Sequence, residues 1–145
     1  MHARRDHLPF PWRHHACGYC GAAIPAGHAL CALVPDSSVI DHEDPSCDGR
    51  RHVVACGSAH LDLLIGQAND AWIPEERWLG QLCRASMQPG SAGATVAQLG
   101  ARARMPTDHV RRAVLWNSRR EAPLRALPGG QVLSAADLET MLGNR

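Results

Sequence analysis

The chain has 145 residues and a formal net charge of +1, which gives one domain or two small ones and removes any global electrostatic case for nucleic acid or membrane. All 15 basic residues are arginine, and four Trp, one Tyr and one Phe are the whole aromatic complement. No stretch has the length and apolarity of a membrane span.

Residues 1–16, rich in His, Arg and Pro, read as a flexible tail. The segment carries charge but no apolar core, so it is not expected to be a secretory signal, and a cytoplasmic location follows. In such a chain, paired cysteines point to metal rather than to disulfides.

The pairing is specific. Cys17-Gly18-Tyr19-Cys20-Gly21 is followed by Cys56-Gly57-Ser58-Ala59-His60. Two cysteines two residues apart, with glycine after the second, let a tight turn aim both thiolates at one ion. Cys56 and His60 add a thiolate and an imidazole about one helical turn apart. Cys17, Cys20, Cys56 and His60 therefore make the expected donor set of one structural zinc per chain. Cys31, Cys47 and His42 are also available, and either cysteine could replace one of the four.

Between the pairs, residues 30–34 and 39–40 are short apolar runs around Pro35-Asp-Ser-Ser, a β-hairpin pattern. Residues 52–55 are a third strand candidate. From Ser58, Leu61, Leu64 and Ile65 fall on one helical face. So small a module buries little core and calls for a metal. Knuckle, hairpin and ligand-bearing helix together resemble a treble-clef zinc finger over residues 17–66.

HNH nucleases use a similar frame, and Asp41-His42 and His52 stand in the matching order between the pairs. That resemblance implies His42, with Asp41, activating water beside a divalent metal. With His60 in the zinc set, no helix residue remains to hold that metal. The plainer reading of His42 is a polar turn residue.

Residues 67–74 read as a linker. A helix over 75–87, opened by Pro74, carries Trp78, Leu79, Leu82 and Cys83 on one side. A breaker-rich loop over 88–93 follows. Residues 95–117 hold two short helical patterns around Met105-Pro106, with small Gly100 where another helix must come close. Leu124–Leu127 and Gln131–Leu133 flank Pro128-Gly129-Gly130, a hairpin signal. Ser134 to Asp137 is a capping pattern for a last helix with Leu138, Met141 and Leu142. Residues 75–145 resemble a winged helix-turn-helix. That family usually has glycine in the turn where this chain has Arg104; a left-handed Arg104 costs on the order of 1 kcal/mol.

Charge supports a division of labour. Residues 31–80 hold nine acids against three arginines, a net of −6, while residues 101–125 hold seven arginines against two acids, a net of +5. Projected with Val110, Ala113 and Val114 inward, the second helix turns Asp108, Arg112, Leu115 and Arg119 outward, with His109, Arg111 and Trp116 at the flanks. Arg112 is the candidate reader of a guanine. Arg111, Arg119 and Arg120 suit phosphates, Arg125 on the wing suits a minor groove or the backbone, and His109 at the flank completes the expected DNA-binding set.

The expected fold class is therefore α+β, a treble-clef zinc module followed by a winged helix-turn-helix. As a whole the chain is similar to actinobacterial proteins that combine these two elements, a likeness that implies no activity. The leading expectation is a non-enzymatic, zinc-containing DNA-binding protein acting in transcription. A protein-interaction adaptor using the zinc module and an outward Leu115 and Trp116 is the second reading. The HNH-like nuclease is the third.

Overall fold

A computed structural model describes residues 15–133 of the chain. It is of mixed helix and strand. The order is β1 (His15–Ala16), β2 (Ala23–Ile24), β3 (Leu30–Pro35), a single 3-10 turn (Pro45–Cys47), β4 (Arg50–Ala55), α1 (Ser58–Asp70), α2 (Pro74–Met87), α3 (Val96–Arg102) and α4 (Thr107–Ser118). The chain divides into two compact units. One is the chain up to Val34 together with His52–Asp70; the other is Pro35–Arg51 with the chain from Ala71 onward.

In the first unit β1 pairs antiparallel with β2, His15 opposite Ile24 and Ala16 opposite Ala23. Residues 15–16, expected in the tail, thus enter a strand; residues 1–14 lie outside the described residues. The core is Cys17, Ile24, Val34, Val53, Ala55, Leu64 and Ala68, with Leu61 and Ile65 packed at its edge. Leu61, Leu64 and Ile65 come from the helical face anticipated after Ser58. Among the described residues that core has no aromatic side chain, and it is too small to carry much hydrophobic stabilisation.

Two local expectations are corrected. Residues 30–34 do not form a hairpin with 39–40; β3 is hydrogen-bonded to β4 instead. Residues 35–49 make an irregular loop whose ends are tied by Asp36 N–H to Gly49 O (2.8 Å) and Gly49 N–H to Val39 O (2.7 Å). The Pro35-Asp-Ser-Ser turn does exist, closed by Val39 N–H onto Asp36 O (3.2 Å), but no strand follows it. Residues 67–70, expected in a linker, are the last turn of α1, leaving only 71–73 between the helices.

In the second unit the Pro35–Arg51 loop is held to α2 by polar contacts. Asp48 accepts from Arg84 Nη1 (2.6 Å), from Gln81 Nε2 (3.2 Å) and from the Asp41 backbone (3.0 Å). Arg84 Nη1 also donates to Asp41 O. The core is Leu79, Leu82, Ala85, Ala94, Val96, Leu99, Val110, Ala113, Val114 and Leu127, so α2, α3, α4 and the segment after them share one apolar interior. Thr95 opens α3 with a capping box: its hydroxyl accepts from Gln98 N–H while the Gln98 side chain accepts from Thr95 N–H.

The α3–α4 connection is a four-residue turn. Arg104 N–H bonds to Ala101 O and Met105 N–H to Gly100 O, the paired bonds of a Schellman ending. That ending needs a left-handed residue, and Arg104 takes it at φ 53°. Gly100 sits where α3 and α4 touch; a Cβ there would lie 2.4 Å from Val110 Cγ2. Beyond α4, Ala126 bridges antiparallel to Val132 around Pro128-Gly129-Gly130. Ser86 Oγ donates to Pro128 O, and buried Leu127 anchors this hairpin in the core. The last helix expected after Ser134 lies outside the described residues.

Candidate metal centre and the arginine surface of α4

The metal donors converge as their spacing required. Gly21 takes φ 74° and returns its N–H to Cys17 O at 2.8 Å, while Cys17 N–H bonds to Ala22 O at 2.9 Å. This tight turn, helped by a φ > 0 that glycine adopts without strain, brings Cys17 and Cys20 to one side. Gly18 N–H bonds to Val54 O at 2.9 Å, fastening the knuckle to the strand that leads to Cys56. Leu61 N–H bonds to Gly57 O at 3.0 Å as α1 begins, and that first turn carries His60 back over Cys56.

The donor atoms of Cys17, Cys20, Cys56 and His60 all lie within 4.8 Å of one another. Cys20 Sγ is 3.9 Å from Cys56 Sγ, and His60 Nδ1 is 3.1 Å from Cys56 Sγ and 3.7 Å from Cys17 Sγ. A tetrahedral site with metal–sulfur bonds of about 2.3 Å and metal–nitrogen bonds of about 2.0 Å has S···S edges of about 3.8 Å and S···N edges of about 3.5 Å. The three separations above, 3.1–3.9 Å, lie close to those edges. His60 presents Nδ1 to the sulfurs, and the Tyr19 ring lies against it with centroids 4.8 Å apart.

The electrostatics fit the same ion. The backbone N–H of Cys20, with those of Cys56 and Tyr19 and the His60 ring, lowers the Cys17 thiol to about 5 against an opposing cost of burial. At Cys56, desolvation first, then the adjoining Cys17 and Cys20 sulfurs, push the thiol up to about 11. Crowded sulfurs resist a second negative charge. A cation among them removes that resistance, because it compensates several thiolates at once. Three sulfurs and one imidazole can hold a metal ion, and the set is compatible with zinc.

The remaining donor residues stay outside this cluster. Cys31 and Cys47 are exposed free thiols. Cys47 faces the Asp44 carboxylate, which raises its pKa. Asp41 spends its carboxylate on the backbone N–H groups of Glu43 and Asp44, which hold it below the usual carboxylate range. His42 is exposed. Neither belongs to a metal-sized donor group among the described residues.

On α4, Val110, Ala113 and Val114 are buried as the projection required. The arginines are more engaged than it suggested. Arg112, expected to face outward, is exposed, and it also donates Nε to Glu75 Oε1 of α2 at 3.1 Å, with a second bond from Nη2, and its guanidinium lies 5.0 Å from the Trp78 ring. His109 stacks on Trp78 with centroids 3.9 Å apart and planes 9° from parallel. Arg111 pairs with Asp108 one turn earlier on its own helix. Arg120 covers Trp116 at 4.9 Å. Trp116 is partly buried against the core and Leu115 is half-buried. Arg119 and Arg125 are exposed. Glu75 and Trp78 carry no local sequence signal for a role beside α4, since the Arg112 partner lies 37 positions away in the chain.

No family model matches this chain, and neither any curated protein nor any solved structure does. Among the described residues no helix is long and apolar enough to cross a membrane.

Proposed function

We propose that this is a zinc-containing DNA-binding protein acting in transcription, with α3 and α4 as a helix-turn-helix, α4 as the helix that enters the major groove and the 126–132 hairpin as a wing. The observation that carries the reading is the α3–α4 corner. A short capped helix ends in a left-handed residue, a second helix crosses it in contact at Gly100, and that second helix exposes arginines beside a buried apolar face. Arg119, at the end of α4, and Arg125, on the hairpin, are best placed for phosphates. Arg111 reaches the same surface after trading Asp108 for a phosphate. Arg112 reads a base only after leaving the Glu75 carboxylate and the Trp78 ring, and a bidentate guanine contact worth about 1–3 kcal/mol has to offset that release.

In this reading the metal is zinc in a closed structural site. Cys17, Cys20, Cys56 and His60 fill a tetrahedral set and leave no position for substrate. The zinc fixes the knuckle, β4 and the start of α1 against one another, and the chain's own residues perform no bond-making step.

The experiment is binding of the zinc-loaded protein to duplex DNA, followed by fluorescence anisotropy at low and then rising salt. Binding that weakens linearly in log–log form is the expected result. Absence of binding at low salt refutes the proposal.

A further inference from the structure

A cavity of about 350 Å³ lies beside the α3–α4 turn, lined by Pro45, Gln81, Arg84, Ala85, Gln88 and, from the end of α3 onward, 102–104. Its size is at the lower end of the range for small-molecule sites. Three of its lining residues are arginines, and their charges are not equally compensated. Arg84 is neutralised by the Asp48 carboxylate, with only 13% of its side chain exposed, so it forms a fixed wall. Arg102 is oriented by neutral acceptors, the Ser91 hydroxyl (2.6 Å) and Gly90 O (3.0 Å), which place the guanidinium without cancelling its charge. Arg104 has no carboxylate partner among the described residues.

Arg104 is also the one non-glycine residue with positive φ among the described residues. The Schellman ending would accept glycine there without strain. Strain kept at the rim of a basic pocket is a reason to ask what the side chain does. Arg102 and Arg104 both line this cavity and neither guanidinium meets a carboxylate among the described residues, a charge balance that matches a ligand with about two negative charges; a phosphate monoester carries about −1.5 to −2 at neutral pH. A single carboxylate would leave one cation unanswered.

We propose that this pocket binds a small phosphorylated ligand, with Arg102 and Arg104 gripping the phosphate and Gln88 at the rim for the remainder of the molecule. The site stands independently of DNA binding. It adjoins the turn that sets the angle of α4, so a ligand gripping Arg104 would stiffen that corner.

The test uses the full zinc-loaded chain without DNA. Inorganic phosphate and phenyl phosphate are titrated by calorimetry against chloride at matched ionic strength, in parallel with Arg104→Gly and Arg102→Gln. The glycine variant suits the left-handed position, so it should fold and melt no lower than the parent. The expected result is saturable one-to-one binding with a Kd of about 1 mM or tighter, weakened about tenfold or more in each variant. Absence of saturable phosphate binding, or equal binding by Arg104→Gly, overturns the proposal.

Discussion

Asp48 Oδ1 and Arg84 Nη1 lie 2.6 Å apart, with none of the Asp48 side chain and little of the Arg84 side chain in water. This pair fastens the Pro35–Arg51 loop to α2. Replacing Arg84 by Met would leave the Asp48 charge buried and unpaired, at a cost of about 3–5 kcal/mol. Urea unfolding followed by tryptophan fluorescence should show it, since Trp72, Trp78 and Trp116 all report on this unit. The double variant Asp48→Leu, Arg84→Met should recover much of the loss.

The same pair fixes an acid dependence. Burial raises the Asp48 pKa, but hydrogen bonds from Arg84, Gln81 and the Asp41 backbone outweigh it, and the net effect is a pKa below the usual carboxylate value. A carboxyl depressed in the folded state stabilises the protein above its unfolded pKa, about 3.9 for aspartate. That contribution disappears as pH falls through the lower folded value. Stability measured below about pH 4 should therefore fall less steeply in Asp48→Asn than in the parent, from a lower starting point.

Gly100 and Val110 set the closeness of α3 and α4. Gly100→Ala puts a Cβ 2.4 Å from Val110 Cγ2 and should destabilise by about 1–3 kcal/mol. Adding Val110→Ala should relieve part of that, so the two changes together should cost less than their sum in thermal melts. A strictly additive pair would show that the helices do not meet here.

Arg104→Gly should raise stability by about 1 kcal/mol, because glycine takes φ 53° without the Cβ penalty that arginine carries. A rise in Tm checks this. A fall would show that the side chain contributes more to the fold than its backbone strain costs.

Much of this was legible locally. The CxxC knuckle and the Cys56–His60 pair depend on turns of a few residues, so spacing alone placed the four donors. The buried face of α4 follows from its period, and Gly100 and Arg104 stand out because each occupies a position with one steric demand. The Thr95–Gln98 capping pattern is equally local. The failures are non-local. Pro35-Asp-Ser-Ser looks like a hairpin turn, yet β3 pairs with β4 because the acidic loop spends its polar groups on α2, through Asp48 and Arg84, 36 positions apart. Arg112 projects outward from its own helix, but Glu75 and Trp78 on α2 meet it there, which no helical wheel contains.

That last contact yields a prediction for DNA. Glu75→Gln removes the acceptor charge that holds Arg112 and one repulsive charge near the phosphates. Stability should change by less than about 1 kcal/mol, whereas DNA affinity should rise. Arg112→Ala should relax sequence preference, and Arg119→Ala should weaken binding to all duplexes and reduce the salt slope by about one. Anisotropy titrations over a salt series separate the three.

For the zinc-loaded protein, the most direct measurement is selection from a random duplex pool at a fixed, stated salt concentration, run in parallel with Arg112→Ala. Enrichment of a defined motif by the parent, and a broader set of sequences by the variant, is the predicted result. Recovery of no DNA above background, or the same motif from both proteins, would contradict the assignment of α4 as the reading helix.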